Sequence, residues 1–234
     1  MAAFLSLALP SDLPQSWVRG FLRGLSRLGV RYGVTLTGGD TAQSPAGVLA
    51  DIIVVGKVPR GQAILRSQAR PGDRIFVTGE LGGSASAVRQ MERTKVSARD
   101  YSRHFYPEPR IAVARVLREK KLASAMIDTS DGLSTDLSHI CEESGVGAEI
   151  DAAAVPRAHV GKPRREVDLN LALHGGEDYE LLFTAPVGRK VPGKIGGAAV
   201  TEIGRITGAK TIRMRTESGE FEKLQPRGWE HFRS

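Results

Sequence analysis

Cysteine is almost absent from this 234-residue chain: Cys141 stands alone, so no internal disulfide can form and the fold rests on its core. Cys141 lies on the apolar side of a helical run, as expected of a core residue in a reducing cytoplasm. No apolar run reaches membrane-spanning length. The opening Met-Ala-Ala-Phe-Leu-Ser-Leu-Ala-Leu-Pro lacks a basic start and a longer apolar stretch, so it reads as a strand and not as a secretory signal. Aromatics make up only 6% of the chain. A net charge of +7 invites a nucleic-acid reading, but the basic groups look scattered. The densest, Arg118–Lys121 and Lys162–Arg165, have no interleaved aromatics, which argues against a nucleic-acid partner. The turn Gly79-Glu80-Leu81-Gly82-Gly83 lacks the Gly-Lys-Ser/Thr ending of a P-loop and reads as a strand-to-helix turn. His174 and His231 lack metal-ligand spacing, and there is no internal repeat or low-complexity segment.

What is present suits an ordinary globular protein, 41% hydrophobic and 25% charged, long enough for two modest domains. After the opening strand, Ser11 is placed to cap a helix with Leu13, Trp17, Phe21, Leu25 and Leu28 on one side, and Gly29 to stop it. Val34 and Leu36 alternate with threonines in a short strand ending at Gly38-Gly39-Asp40-Thr41. The β-branched run Val48–Val58 is expected to pair beside it, with Pro59-Arg60-Gly61 as a boundary between lobes. Beyond it a strand spans Arg74–Thr78, and Pro107-Glu108-Pro109-Arg110 opens a helix to about Lys121. Pro156–Arg165 reads as a polar, basic loop, a short helix covers Val167–Leu173, and strands lie near Ala199–Ile206 and Thr211–Arg215.

The chain is organised around Ile127-Asp128-Thr129-Ser130-Asp131-Gly132-Leu133, where an apolar approach hands over to a helix carrying Leu133, Leu137, Ile140 and Cys141 and ended by Gly145. Two carboxylates three residues apart at a helix N-terminus can hold a divalent cation through hard oxygens while the N–H groups and dipole favour an anion. A magnesium-bound phosphate satisfies both. The plainer alternative is that Ser130 or Asp131 simply caps the helix. Further on, the acidic run Gly175-Gly176-Glu177-Asp178-Tyr179-Glu180-Leu181 leads into a buried strand, either as a cation or cationic-ligand site or as a solvated turn. Trp229 reads as a packing anchor or as a face for a planar or cationic ligand.

Taken in order, Gly38-Gly39-Asp40-Thr41, Arg66 with Pro71-Gly72-Asp73, Asp128-Thr129-Ser130-Asp131-Gly132-Leu133, Gly175-Gly176-Glu177-Asp178-Tyr179-Glu180-Leu181 and Gly228-Trp229-Glu230-His231-Phe232 resemble the thiamine-monophosphate kinase family over essentially the whole chain. That resemblance implies an α/β (α+β), two-lobed fold like aminoimidazole ribonucleotide synthetase: residues 1–58 as an incomplete N-terminal ATP-binding and dimerisation lobe, residues 59–234 as a C-terminal lobe of mixed sheet packed with helices. It implies ATP-dependent phosphorylation of thiamine monophosphate to thiamine diphosphate in the cytoplasm, with magnesium as cofactor and a homodimer in the full-length family. Carried over by motif, Asp40, Asp128 and Asp131 bind magnesium; Gly39, Asp40, Arg66 and Ser130 meet ATP; Glu177 and Trp229 meet thiamine monophosphate. No general-base residue is implied. The family also carries an upstream segment with a Gly-Asp-Asp motif that this sequence does not contain, so a truncated or short form is expected, and a non-catalytic nucleotide- or thiamine-phosphate-binding fragment or another ATP-using enzyme of the superfamily stands as the alternative.

Overall fold

In the computed structural model, which describes residues 1–229, the apolar opening is a strand, β1 (Ala2–Leu9), that buries Ala3, Leu5 and Leu7 in the alternation a pleated strand requires. Helix α1 (Gln15–Tyr32) follows. Its N-cap is Pro14 with no side-chain cap, so Ser11 lies too far upstream to serve, and the helix runs through Gly29 to Gly33. Gly33 adopts the left-handed conformation (φ 65°), and the N–H of Val34 donates back to the Gly29 carbonyl over 2.8 Å. An interior glycine costs a helix only about 1 kcal/mol, so Gly29 is carried and the true stop comes where the backbone must turn left-handed. Arg19, Arg23, Arg27 and Arg31 are all exposed, and no Asp or Glu lies between residues 15 and 32. Four-residue steps advance only about 40° round a helix, so these charges form a row and the basic residues are less scattered than expected.

Strands β2 (Thr35–Gln43) and β3 (Leu49–Val55) flank β1, parallel and antiparallel respectively. The expected β2–β3 pairing is therefore wrong: β1, with its alternately buried apolar side chains, takes the centre, where both of its edges are hydrogen-bonded. β2 also outruns its expected end. Ala3 pairs with Leu36 but Phe4 with Gly38, so Thr37 bulges and the strand continues through the glycines. Leu49, Ile52, Ile53, Val54 and Val55 of β3 are all exposed.

A second compact unit begins at Ala63. A 3-10 turn (Arg66–Gln68) leads to β4 (Arg74–Thr78), α2 (Gly83–Met91), the short α3 (Ser102–Phe105), α4 (Ile111–Glu119), β5 (Ala125–Asp128), α5 (Leu133–Ser144) and β6 (Gly147–Asp151). Residues 156–165, expected to be loop, hold most of a small hairpin, β7 (His159–Val160) and β8 (Arg165–Glu166), whose Glu166 is ion-paired with Arg157. Next come α6 (Leu169–His174), β9 (Leu181–Ala185), β10 (Lys194–Ile195), β11 (Ala198–Thr207), β12 (Ile212–Arg215) and β13 (Phe221–Lys223). The sheet order is β13-β12-β6-β11-β4-β9-β5, with β10 on β11; β12–β6 is parallel and the other pairs are antiparallel, which gives the expected mixed sheet.

Alternation along these strands divides the core between the two sheet faces. Ile75, Val77, Ile127 and Leu182 pack with Leu133, Leu137, Ile140 and Cys141 of α5, while Phe76 and Phe183 pack with Val113 and Leu117 of α4. Burial, then the neighbouring Glu142, pushes the Cys141 thiol up to about 12, so it stays protonated as a core group. One consequence of this layout matters for chemistry: β5 and β9 are neighbours, so the turns leaving β5 and entering β9 lie at one end of the sheet.

Candidate active site

The turn after β5 and the loop before β9 extend the β5–β9 pairing. Main-chain N–H groups of Thr129, Glu177 and Tyr179 donate to the carbonyls of Glu180 (2.8 Å), Ser130 (2.8 Å) and Thr129 (3.0 Å). Glu177 and Tyr179 hold left-handed backbone (φ 65° and 51°) to make this possible. The two acidic motifs, 46 residues apart between Asp131 and Glu177, thus become one surface.

Within it the carboxylates divide by direction. Asp178 turns inward: its Oδ2 accepts from the N–H of Gly82 (2.6 Å) and its Oδ1 from that of Ser84 (3.2 Å), fixing the turn before α2. Burial raises its carboxyl to about 6 against the lowering effect of those two N–H groups. Glu180 is 1% exposed and accepts from Thr78 Oγ1 (2.5 Å), Arg103 Nη1 (2.9 Å) and both Nε (2.6 Å) and Nη2 (2.5 Å) of Arg110. Neither reading of the acidic run survives for these two residues; they are internal struts. Asp128 and Glu177 are exposed and Asp131 half-buried. The Tyr179 hydroxyl is raised first by burial, then by the charges of Glu177, Asp128 and Asp131.

Neither Ser130 nor Asp131 caps α5. The N-cap is Gly132 (φ 113°), where an added Cβ would lie 2.9 Å from the carbonyl carbon and oxygen of His174, so no side chain fits. Instead Asp136, one turn into the helix, reaches back: its Oδ2 accepts from the N–H of Asp131 (3.2 Å) and of Gly132 (3.0 Å). This resembles half of a capping box, the acid in the first turn serving the N-cap N–H. Burial, then Asp131, raises the Asp136 carboxyl to about 7. The capping is done by Asp136, so the Asp128 and Asp131 side chains remain available to a ligand.

The chain's end closes on the same turn. Gly228 donates to Thr135 Oγ1 (3.0 Å), and an added Cβ there would lie 1.9 Å from the Asp131 carbonyl oxygen. Trp229 donates its main-chain N–H to that oxygen (3.0 Å) and is 65% exposed. Glu230, His231 and Phe232 of the motif lie outside the described residues. His174 accepts or donates at Nδ1 to Ser134 Oγ (2.8 Å), and burial, then Arg227, lowers its pKa, consistent with a structural role.

The structure therefore brings Asp128, Ser130, Asp131, Glu177 and Trp229 together. Arg66 is placed differently: its carbonyl accepts from Ser144 Oγ (2.8 Å) and its guanidinium lies 3.7 Å from Glu143, at the far end of α5, about 18 Å of helix from Asp131. Gly39 and Asp40 belong to the N-terminal unit, where the Asp40 Oδ1 accepts from the N–H of Thr41 (2.8 Å). Among the described residues no three His, Cys, Asp or Glu side chains already converge as a metal centre. A hard divalent cation needs fewer, since magnesium commonly takes one or two carboxylates plus substrate phosphates. The exposed Asp128 and the half-buried Asp131, hard oxygen donors three residues apart on this turn, fit that donor set. Asp136 was not singled out from the sequence, though it left a signal there, an acid in the first turn behind an N-cap glycine; Asp178, Tyr179 and Glu180 stood out only as members of the acidic run.

The chain matches two family models in order: AIR synthase related protein, N-terminal domain, over residues 1–58, and its C-terminal domain over residues 70–217. It is 38% identical to the thiamine-monophosphate kinase of Escherichia coli (strain K12), covering 97% of this chain and 72% of that protein, and 35% identical to that of Bacillus subtilis (strain 168), covering 98% and 74%. A solved structure described as AaThiL complexed with AMPPCP and TMP superposes with a TM-score of 0.84 at 33% identity over 99% of this chain and 73% of that one. The hydrogenase maturation protein HypE in complex with ATP shares the fold, with a TM-score of 0.74 at 19% identity. Identity at this level, sustained over almost this whole chain and over nearly three quarters of each kinase, establishes that the chain belongs to the thiamine-monophosphate kinase family.

Proposed function

We propose that this chain catalyses ATP-dependent phosphorylation of thiamine monophosphate to thiamine diphosphate by direct phosphoryl transfer in the cytoplasm. The observation that carries the reading is the single surface on which outward carboxylates (Asp128, Asp131), an exposed Glu177 and an exposed Trp229 are hydrogen-bonded together. The crystallised relative with AMPPCP and TMP supports the same pair of ligands here.

The chemistry asks for positioning more than for a base. A phosphate monoester loses its second proton near about pH 6, so the attacking oxygen is already largely ionised at neutral pH. Two anions must then be brought in line and their repulsion neutralised. Asp128 and Asp131 are the residues of this turn that would hold magnesium, which when bound supplies charge neutralisation at the transferring phosphoryl group; the resemblance separately assigns Asp40 of the N-terminal unit to magnesium. Ser130 borders the nucleotide, and Glu177 and Trp229 receive the cationic thiamine through charge and an aromatic face; the resemblance also assigns Gly39 to the nucleotide and Arg66 to the ATP phosphates, although Arg66 stands beside Glu143 at the far end of α5 from Asp131. Neither nucleic acid nor membrane enters this reading; among the described residues no helix is long and apolar enough to cross a membrane. The exposed apolar strand β3 supports a homodimer, which sedimentation would test.

The deciding assay is thiamine diphosphate formation from thiamine monophosphate and Mg-ATP by the 234-residue chain. Turnover is expected. Binding of both ligands without turnover would favour a non-catalytic binding module, a reading that the chain's 72% coverage of its E. coli relative keeps in play.

A further inference from the structure

We propose that Asp136 is a positioning residue for phosphoryl transfer: by holding the main-chain N–H groups of Asp131 and Gly132 it sets the direction in which Asp131 presents its carboxylate. The inference rests on the proposed function and adds a residue to it. Asp136 is 1% exposed and cannot itself meet a substrate.

Three observations carry it. The Asp136 Oδ2 receives both N–H groups, at 3.2 and 3.0 Å, so one atom fixes two successive peptide planes on either side of the Asp131 α-carbon and its neighbour. No other residue can take over from the usual capping position, because a Cβ at Gly132 would collide with the His174 carbonyl. Finally, the other oxygen, Oδ1, is buried without a hydrogen-bond partner among the described residues. Leaving one buried acceptor unsatisfied costs stability, so the two hydrogen bonds to Oδ2 are kept at a cost that the placement of Asp131 accounts for.

The other ties nearest Asp131 are the Glu177 N–H to Ser130 and the Trp229 N–H to the Asp131 carbonyl, both on carbonyl groups, while the Thr129 N–H is held further back by the Glu180 carbonyl. Among the described residues only Asp136 accepts from the N–H groups of Asp131 and Gly132, so without it Asp131 can pivot about its own main chain.

The experiment compares the unsubstituted chain with Asp136→Ala and Asp136→Asn, using Mn2+ as a spectroscopic probe with a non-hydrolysable ATP analogue, alongside turnover. Asp136→Ala should weaken Mn2+ binding about 10- to 100-fold, the usual effect of losing a group that orients a metal ligand. Its kcat should fall by a comparable factor with KM for thiamine monophosphate unchanged. Asp136→Asn, whose Oδ1 can accept the same two N–H groups, should restore both to within about threefold. Equal binding and turnover by the alanine variant, or equal loss in the two variants, would overturn the proposal. Should Asp136→Ala fail to fold, Asp136→Asn decides alone: near-normal Mn2+ binding supports the clamp, and a tenfold or greater loss in a folded protein refutes it. If the unsubstituted chain binds no Mn2+-nucleotide, it is the proposed function that fails.

Discussion

The main-chain N–H of Trp229 donates to the carbonyl of Asp131 over 3.0 Å, so the aromatic residue assigned to the thiamine and the carboxylate assigned to the metal share one hydrogen bond. In the proposed reaction the two ligand sites are thereby registered to each other by backbone, and side-chain substitutions at either residue should leave that registration intact.

Asp131→Asn should therefore lower kcat severely, by about two to three orders of magnitude, because an anionic ligand to the cation that would neutralise phosphate repulsion is removed. The melting temperature should move by no more than a degree or two, since the side chain is half-buried in a turn and not a core contact. Calorimetry beside a steady-state assay checks both; normal turnover removes Asp131 from the site.

Trp229→Ala should raise KM for thiamine monophosphate about tenfold with kcat changed far less, matching a cation–π contact of roughly 1–2 kcal/mol. Trp229→Phe should recover most of the loss. An unchanged KM would mean that the exposed indole serves something else.

Arg110→Ala removes the forked donor to a Glu180 that is 1% exposed. Leaving that carboxylate buried and short of its partner should cost about 3–5 kcal/mol, enough to lower the melting temperature by roughly ten degrees. A chemical-denaturation midpoint close to that of the unsubstituted chain would refute this.

The Asp178 carboxyl, raised by burial to about 6, gives the opposite pH dependence from most acids. Its folded-state pKa lies above the unfolded value of 3.8, so the folded form binds the extra proton between them. Its contribution is fully present below about 3.8 and is lost as pH rises through about 6. Asp178→Asn should cancel this slope: the stability difference between variant and unsubstituted chain should shift in favour of the variant from pH 4 to pH 7, by at most roughly 3 kcal/mol. A difference that stays flat across this window contradicts the assignment.

In α1, Arg23 stands four residues from both Arg19 and Arg27 with no acid in the helix. Arg23→Glu turns two repulsions into two attractions, so amide hydrogen exchange in α1 should slow by a factor corresponding to roughly 1 kcal/mol, and the gain should shrink at high salt. Exchange that is unchanged or faster would show that the row is already compensated.

Much of the fold was legible because it rests on short-range patterns. The run from Ile127 through Gly145 announced its strand, turn, helix and left-handed stop by periodicity and by two glycines. What stayed hidden were relations between distant segments. That β1 separates β2 from β3 depends on which strand has both edges hydrogen-bonded, and a propensity reading cannot rank that. The motif residues Asp128, Asp131, Glu177 and Trp229 could be named in advance, but the division of labour among the acids could not. Asp178 and Glu180 look like Glu177 in sequence; only the positions of Gly82, Ser84, Thr78, Arg103 and Arg110, some 70 to 100 residues away, turn them inward.

Helix α5 ties Asp131 at its start to the Arg66 turn at its end through Ser144. A one-residue insertion anywhere in its 12 residues would rotate one end by about 100° relative to the other. The length of this segment is therefore as constrained as its chemistry. Lineages and protein engineers should find residues 133–144 closed to insertion and deletion, whereas the exposed stretch 187–190 can lengthen without disturbing the distance from Asp131 to the Arg66 turn.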